Sequence, residues 1–552
     1  MAYFSLHAYD ADVWLPAFLG LHQQDESLNT DIRFATDVLN VETPNGVLQP
    51  HAGYSEIFSS FEGQKIETIA RFYRRYYTGG GSKHWLICAT GGKIYYAQEG
   101  SNIGWIPIDY ESDFTSNVWS WCTYEINPPG SEHSIDVILM SNAEDGMIMV
   151  IPPDRFATWD DVQDNDRTWG EIFTPDTEDE LDYTPGTMTW GDLLYADETQ
   201  WTIEPVDTGD YKFGVIERYA ERIWGGDIPG MPDTLAYSRP FDPTDWTGPG
   251  AEEQPEDGAG DISQPSWDGD SFTALKAFGN QLIAFKEHRV WRVYGTNPGE
   301  YVFSEQYGGG APYFNTIAVD VERIYMADTN GLSVYDGMSV QPFQRKLIEP
   351  LWRQINRDAM DQMCAVLFQN RYYLAVPMGD STVNNALIVL NLEEGSILFY
   401  DDLAIESMLS TPDAIYGTSS SLPGKVLDLG YNSWIAGKAS GGATKWVSPW
   451  MDFGYKRIQK GGFDLYMVPE VQDEPVTLKI SIQTEKKTKT KEYTIQPLTA
   501  AQREANKEHR NKKLHFGGAG RRFRIIIETS EGVTAPWRLI GGLHLVVETD
   551  PD

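Results

Sequence analysis

The segment Trp85-Leu-Ile-Cys-Ala-Thr-Gly-Gly-Lys-Ile-Tyr-Tyr-Ala97 is the part of the sequence that decides the fold class. Two runs of apolar and aromatic residues flank a Gly-Gly pair, and this pattern predicts a β-hairpin with a two-residue turn. The second half of the segment, a polar residue or Gly followed by a short apolar strand, recurs along the chain. The recurrences start at Lys93, Gly146, Arg222, Gln281, Arg323, Arg371 and Ala414.

The spacing of these starts indicates a repeat architecture. Successive starts are 53, 76, 59, 42, 48 and 43 residues apart. Repeats of roughly 40–50 residues built from short strands are typical of β-propeller blades. One small sheet cannot bury both of its faces, so neighbouring repeats must stack on it. We therefore predict an all-β protein with a six- or seven-bladed β-propeller over residues 51–445.

The composition agrees with a large β protein. Aromatic residues make up 13% of the chain, and its 51 Gly and 31 Pro residues predict many turns. No apolar run of about 18 residues is present, so no membrane span is expected. The first residues lack a basic region followed by an apolar core, so no secretory signal is expected either. The three cysteines are far apart and predict small buried residues of a chain made in a reducing cytosol, with a disulfide as the less favoured alternative.

The charge is unevenly distributed along the sequence. The whole chain carries a net charge of −38. Residues 451–552 hold 17 Lys/Arg and 14 Asp/Glu, a net charge of +3, so residues 1–450 hold the remaining 26 and 67, a net charge of −41. This break predicts a second domain near residue 450. So acidic a surface repels DNA and anionic membranes.

The pattern along the chain predicts four regions. Residues 1–50 read as an irregular lead-in, and residues 51–445 as the propeller with an acidic, proline-containing insertion near 154–210. Residues 446–552 read as a C-terminal β-sandwich, jelly-roll-like, with an exposed polar helix near 500–513. One further helix is predicted at about 346–359. The predicted strands of the sandwich are 446–453, 462–468, 476–484, 491–496, 522–529 and 537–548.

The search for chemistry finds no catalytic or cofactor motif. A Walker loop, G-x-S-x-G and H-E-x-x-H are all missing from the sequence, and the nine histidines have no metal-ligand spacing. We therefore predict no enzyme, no cofactor, and no catalytic or metal-binding residue. Two alternatives stay open: a Ca²⁺ site at Asp160–Asp166 or Asp176–Asp182, which do not fit the EF-hand spacing, and a glycosidase carboxylate pair.

Basic residues in the otherwise acidic chain are candidates for subunit contacts. The run Glu485-Lys-Lys-Thr-Lys-Thr-Lys491 predicts a basic hairpin tip, and Glu508 pairs with Lys512 at i,i+4 on the polar helix. We expect these groups to contact acidic protein surfaces, including the propeller of a neighbouring copy. The run Arg71–Tyr77 is interpreted as an edge strand in preference to a nucleic-acid site. The candidate contact residues are Lys486, Lys487, Lys489, Lys491, Glu508, Lys512, Arg521 and Arg522.

Several segments together resemble a known family. They are Pro44-Asn-Gly-Val-Leu-Gln-Pro-His-Ala-Gly53, Ile66-Glu-Thr-Ile-Ala-Arg-Phe-Tyr73, Arg323-Ile-Tyr-Met-Ala-Asp-Thr-Asn-Gly-Leu-Ser-Val-Tyr-Asp-Gly337 and Ala535-Pro-Trp-Arg-Leu-Ile-Gly-Gly-Leu543. This set resembles the β-propeller tail nozzle, or packaged-DNA stabilisation, proteins of short-tailed (podovirus-type) bacteriophages. The resemblance implies a homo-oligomeric ring, commonly a hexamer, in the virion tail below the portal and adaptor proteins, made in the host bacterial cytoplasm. It also implies contacts with tail fibres or a tail tip.

In such a ring the genome DNA passes through the lumen without sequence-specific binding. Phosphates bind basic walls by releasing counterions, so an acidic wall repels DNA and leaves a low-friction path. We expect part of the net −41 of residues 1–450 to face the lumen. The alternatives are a receptor- or glycan-binding tail-tip propeller and a glycan-degrading enzyme.

Overall fold

The computed structural model describes most of the chain. The residues outside the description are 1–4, 8–9, 23–29, 58–60, 62–63, 77–80, 101–103, 128–133, 154–200, 251–253, 255–256, 264–268, 307, 431, 453–458, 500, 502–511 and 551–552. The predicted acidic insertion, both predicted Ca²⁺ candidates and most of the predicted helix near 500–513 fall among them. The chain forms two compact units, Met1–Ile66 with Gln306–Asp552, and Glu67–Glu305.

The N-terminal segment supplies short strands to sheets formed mainly by later residues. The strands are β1 (Ser5–His7), β2 (Asp10–Leu15), β3 (Asp37–Leu39), β4 (Val41–Glu42), β5 (Gln49–Pro50) and β6 (Ser55–Ile57), with a 3-10 turn at Pro44–Gly46. Strands β4 and β5 pair with each other. The sequence predicts an irregular lead-in over 1–50, whereas these residues form short strands, of which β2 and β3 pair with segments more than 400 residues later in the chain.

The unit Glu67–Glu305 contains four antiparallel sheets of four strands each, in sequence order. The first two hold β7 (Ile66–Tyr76), β8 (Gly81–Thr90), β9 (Lys93–Gln98) and β10 (Ile106–Pro107), then β11 (Ser120–Ile126), β12 (Ile135–Asn142), β13 (Gly146–Ile151) and β14 (Thr202–Pro205). The next two hold β15 (Val215–Tyr219), β16 (Arg222–Gly226), β17 (Thr234–Tyr237) and β18 (Gly260–Ser263), then β19 (Phe272–Phe278), β20 (Gln281–Lys286), β21 (Val290–Tyr294) and β22 (Val302–Gln306), with a 3-10 turn at Pro298–Glu300.

The other unit contains three further four-stranded antiparallel sheets. Their strands are β23 (Ala318–Val319), β24 (Ile324–Asp328), β25 (Gly331–Tyr335), β26 (Val340–Phe343), β27 (Cys364–Phe368), β28 (Arg371–Val376), β29 (Ala386–Asn391), β30 (Ser396–Tyr400), β31 (Ile405–Ser410), β32 (Ile415–Ser419) and β33 (Leu422–Asp428). The last sheet takes its fourth strand, β6, from the N-terminal segment, with Glu56 opposite Leu427. In the described part of the chain this makes seven four-stranded sheets.

Each of the seven repeated sequence segments contains an interior strand of one of these sheets. These strands are β9, β13, β16, β20, β24, β28 and β32. Each of them contains buried apolar residues, as Leu282 to Phe285 of β20 show. The turns that precede them need positive φ angles: Gly91 and Gly92 adopt φ of 58° and 76°, and Gln369 and Asn370 adopt 47° and 60°. Such pairs form the two-residue turns that match strand twist.

Consecutive four-stranded sheets share apolar cores within each unit. Ile87 of the first sheet and Ile138 of the second belong to one buried cluster. Trp224 of the third and Ala284 of the fourth belong to another. The same holds for the sixth and seventh sheets. Within each unit these shared clusters show that consecutive sheets pack against each other.

One helix packs beside these sheets. Helix α1 (Arg345–Trp352) buries Leu347, Ile348, Leu351 and Trp352, and it is shorter than the predicted 346–359. It ends early because Ile355 adopts an extended bridge to Met378. Further 3-10 turns lie at Phe314–Thr316 and Arg357–Gln362.

Two five-stranded antiparallel sheets complete this unit. Their remaining elements are helix α2 (Ser433–Ala436) and strands β34 (Lys445–Val447), β35 (Gln459–Val471), β36 (Val476–Thr484), β37 (Thr488–Ile495), β38 (Lys512–Gly520), β39 (Phe523–Glu528) and β40 (Trp537–Asp550). One sheet has the order β1-β2-β40-β35-β38 and the other β3-β34-β39-β36-β37. Buried residues of both, such as Leu465 and Ile480, join one core, and Phe463 meets Phe523 at 5.0 Å between ring centres.

The structure adds a C-terminal strand that the sequence reading lacks. The prediction places Lys512 and Lys513 at the end of a polar helix, but both begin β38. This prediction is wrong at these positions because Lys513 and Lys512 pair with Tyr466 and Met467 of β35. All three cysteines are buried and free. Within the described residues, none of the helices combines the length and apolar character that crossing a membrane requires.

Candidate interaction surface

Seven of the eight predicted contact residues lie on strands or turns of the two five-stranded sheets. Lys486 and Lys487 lie in the turn after β36, whereas Lys489 and Lys491 lie on β37. Arg521 and Arg522 form the turn between β38 and β39, and Lys512 is the first residue of β38. Glu508 lies outside the described residues, and the predicted i,i+4 helical pairing does not hold at Lys512 because this residue begins β38.

The register of β37 decides where its lysines point. Lys489 is opposite Ile482 and Lys491 is opposite Ile480, and both isoleucines are buried in the core. Residues opposite each other in an antiparallel pair share one face, so these lysines lie on the face that the core uses. Strand β37 ends its sheet in the described structure. The aliphatic stems can therefore cover the margin of the core while the ammonium groups reach solvent.

The turn before β37 is closed by one threonine. The Thr484 hydroxyl donates to the Lys487 carbonyl at 3.0 Å and accepts from the Lys487 N–H at 3.2 Å. The Thr484 N–H also donates to the Lys487 carbonyl at 2.8 Å. Because the turn is fixed by these bonds, the exposed Lys486 and Lys487 leave it at defined positions.

The four lysines line one cavity of about 520 Å³, which we call the lysine cleft. Its other walls include Phe463 and Ile482 of the core, Phe516, and the small residues Gly517 to Ala519 of β38. The Lys491 ammonium lies 5.7 Å from the centre of the Phe516 ring, within the range of a cation–π contact. The cleft therefore has an apolar base and a cationic rim.

The predicted arginines border this cleft without lining it. The Arg522 Nε lies 3.9 Å from the Glu485 carboxylate, and the Arg521 N–H donates to the same carboxylate at 3.4 Å. Glu485 therefore offsets part of the positive charge at this corner. Lys512 is also apart from the cleft, with its ammonium 4.9 Å from the centre of the Tyr493 ring. The structure thus brings together four of the eight predicted residues.

Lys460 supports the arginine turn and was missed by sequence reasoning. Its side chain is buried, and its Nζ donates to the Arg521 carbonyl at 2.8 Å. Burial lowers the pKa of this lysine, while Asp452 and Glu485 oppose that shift. A local sequence pattern could not predict this contact, because Lys460 and Arg521 are 61 residues apart in the chain.

A second cluster in the unit Glu67–Glu305 has the residue types of a cation site. Asp270, Glu287 and His288 each offer one ligand atom, and these atoms lie within 4.8 Å of one another. His288 Nδ1 is 3.0 Å from an Asp270 oxygen. His288 and Glu287 are more than half exposed, and an ordinary surface ion pair accounts for this geometry.

Comparisons with known proteins identify no family for this chain. No protein-family model matches the sequence, and no curated protein matches it. Among solved structures, the chain is similar to the computationally designed Ika8 protein. The two are 9% identical, the match covers 68% of this chain and 100% of that one, and the TM-score is 0.33. This similarity is too low to carry an argument about fold or function.

Proposed function

We propose that this chain is a structural protein of a bacteriophage tail that assembles into a ring continuing the DNA channel below the portal and adaptor. In this proposal the seven four-stranded sheets are the blades of a β-propeller, and the two five-stranded sheets form a β-sandwich. Support for the blades comes from their sequence order and from the cores that consecutive sheets share. The seventh sheet, which joins β6 to β33, supports closure of the propeller by both parts of the chain.

The observation that carries the ring is the contrast in charge between an acidic chain and the lysine cleft that it also contains. A cyclic assembly with a central hole is built from heterologous contacts, in which one patch meets a different patch on the next copy. Residues 1–450 carry a net charge of −41, and the lysine cleft concentrates four cationic side chains. The lysine cleft of one subunit binds the acidic surface of the next, and this complementarity also orients the subunits.

The acidic charge also fits the proposed passage of DNA. Duplex DNA is a dense polyanion, and basic surfaces hold it through counterion release. A lumen lined by part of the surplus carboxylates repels the phosphates, so the ring guides the genome and performs no bond-making. Portal and adaptor proteins above, and fibres or a tail tip below, are the remaining partners of the proposal.

The test measures assembly of the full-length chain by light scattering and negative-stain electron microscopy. We expect rings with a central hole wide enough for duplex DNA. A variant with Lys486, Lys487, Lys489 and Lys491 replaced by Glu should give folded monomers. The matched control replaces the exposed Lys93, Lys212, Lys346 and Lys438 by Glu, which changes the net charge equally.

The outcomes separate the two parts of the proposal. Rings retained by the cleft variant would remove the lysine cleft from the subunit contact. A wild-type chain that stays monomeric up to about 100 μM, far above the dissociation constants of stable assemblies, would contradict ring assembly itself. Loss of rings in the control variant as well would assign assembly to overall charge and not to the cleft.

A further inference from the structure

A second cavity lies among the same five-stranded sheets and is not used by the proposed assembly. It measures about 610 Å³ and is formed by the end of β35, the residues that follow it, the end of β37, helix α2 and β40. Its characteristic side chains are Trp434, Tyr493, Glu470, Gln472 and Arg538. We call it the tryptophan pocket. Its size falls within the range of sites that take small organic ligands.

The walls of the tryptophan pocket are held in place by direct contacts. The Arg538 guanidinium lies 4.0 Å from the centre of the Trp434 ring, and its Nε donates to the Glu470 carboxylate at 2.6 Å. Gln472 Nε2 donates to the Trp434 carbonyl at 2.7 Å. The carboxylate of Glu470 is 11% exposed and Arg538 is 29% exposed, so this network is mostly shielded from water. The site is therefore arranged before any ligand arrives, which lowers the entropy lost on binding.

The residue types in this pocket select a class of ligand. Trp434 and Tyr493 line the pocket, and the Arg538 guanidinium and the Lys512 ammonium each lie over one face of these two rings. An apolar ligand face therefore packs on the other face of each ring. Glu470 and Asp473 accept hydrogen bonds, whereas Gln472 and Gln496 both donate and accept them. A ligand that matches has a flat apolar face and a rim of hydroxyl groups. Sugar rings have this form, with C–H groups on the faces and hydroxyls around the edge.

The charges of the pocket argue against an anionic ligand. Glu470 and Asp473 bring two negative charges and Arg538 one positive charge, and Arg538 is already engaged with Glu470. A phosphate or sulfate ester would meet a net negative wall. The lysine cleft on the same sheets has the opposite charge. We infer that the tryptophan pocket binds a neutral saccharide of one or two rings, which adds a glycan-binding role to the proposed ring protein.

The test titrates the full-length protein with a panel of neutral disaccharides: maltose, cellobiose, lactose and N,N′-diacetylchitobiose. Binding is followed by intrinsic tryptophan fluorescence and by saturation-transfer NMR. We expect at least one sugar to bind with a dissociation constant below about 10 mM, the weak range typical of small ligands. Replacement Trp434→Ala should weaken binding by about tenfold or more, because it removes the aromatic wall.

Two further variants keep the result interpretable. Gln496→Ala removes an exposed polar group of the pocket that has no role in the Trp434 network, and it should weaken binding while leaving thermal unfolding unchanged. The control is Trp14→Ala on β2, whose ring is 58% exposed and distant in sequence from the pocket residues, and it should leave binding unchanged. No signal from any panel member, or equal affinity of Gln496→Ala and wild type, would overturn the inference. Ring assembly is measured in a separate experiment, because none of these variants changes a residue of the lysine cleft.

Discussion

Glu42 is a carboxylic acid almost completely enclosed by protein, with 4% of its surface exposed. Burial raises its pKa to about 7, although Arg371 and His51 nearby favour the charged form. The pKa in the folded state is therefore higher than the ordinary value of 4.5. A group of this kind supports the fold when it is protonated, and its contribution is lost as the pH rises from about 4.5 towards 7 and above.

Replacement Glu42→Gln should therefore change the pH dependence of stability. We expect the variant and the wild type to be similar near pH 5, and the variant to be more stable at pH 8 by up to about 3 kcal/mol, because a neutral amide avoids ionisation in the core. Urea unfolding at both pH values measures the difference. The exposed Glu531→Gln serves as the control and should change neither curve. A wild type whose stability is equal at the two pH values would contradict this prediction.

At the scale of single residues, the sequence identified charges and not the cavities that they line. The composition of the run Glu485–Lys491 is enough to predict a basic surface. The lysine cleft needs Phe516 as well, and its position follows from the register of β38 against β35, which local patterns do not encode. The tryptophan pocket needs Trp434, Glu470 and Arg538 together, three residues on three separate elements.

At the scale of elements, β40 contains a glycine pair that sets its pairing. The register against β35 shifts between Met467 and Val468, where Gly541 and Gly542 form an extra pair of residues in β40. Both have positive φ angles, 67° and 75°. A Cβ on Gly542 would lie 1.8 Å from the Leu15 carbonyl oxygen, whereas a Cβ on Gly541 would meet nothing within 4 Å. Of the two glycines of the bulge, only Gly542 therefore lies too close to the backbone of β2 to accept a side chain.

This difference gives a matched pair of substitutions. Gly541→Ala should lower the free energy of unfolding by about 1 kcal/mol, the usual effect of placing a side chain at positive φ. Gly542→Ala should lower it by roughly 3 kcal/mol or more, because the backbone of β2 must also move. Thermal and urea unfolding of the two variants measure the gap. Equal destabilisation of the two variants would show that the close contact with Leu15 does not affect the free energy of unfolding.

Strand β6 offers a second test at this scale, because it supplies the fourth strand of the seventh sheet. Its residues Glu56 and Ile57 lie opposite Leu427 and Val426. Adjacent residues of a strand point their N–H groups to opposite sides, so replacing both by Pro removes one ladder donor whichever side it faces. We expect a loss of about 3 kcal/mol or more and faster amide exchange in β33. The control, with both residues replaced by Ala, keeps the backbone donors and should lose clearly less.

The elements differ in how far the sequence could predict them. The seven interior strands were found from the repeated segment because their apolar runs and positive-φ turns are local signals. The strands β2 and β3 were not, because each is short and pairs with a distant strand: Asp10 lies opposite Glu548, and Asp37 lies opposite Val447. The end of α1 was misplaced because Ile355 continues the helical apolar spacing but makes an extended bridge.

At the scale of the whole molecule, the net charge of −38 opposes the compact state through self-repulsion. Raising NaCl from about 20 mM to about 300 mM shortens the screening length and should raise the melting temperature by roughly 2–5 °C. A neutral sugar alcohol at equal osmolality is the control for effects unrelated to charge. Contacts between the lysine cleft and an acidic neighbour should respond in the opposite direction and weaken with salt. A melting temperature that falls over this range would contradict the role assigned to self-repulsion.

The repeat spacing predicted an all-β chain, and the structure confirms this with antiparallel sheets of four and five strands. Charge asymmetry predicted a boundary near residue 450. The compact units instead group Met1–Ile66 with Gln306–Asp552, and no local signal in the first residues marks their partnership with the last. Long-range pairing of this kind is fixed by the packed core and not by the segments themselves.

The pairing of β2 with β40 joins two strands that are synthesised at very different times. Residues 10–15 leave the ribosome about 530 residues before the strand that hydrogen-bonds to them. At translation speeds of roughly 5–20 residues per second, β2 is synthesised about half a minute or longer before β40. During this time β1 is the one of the two strands paired with β2 that the chain has already made.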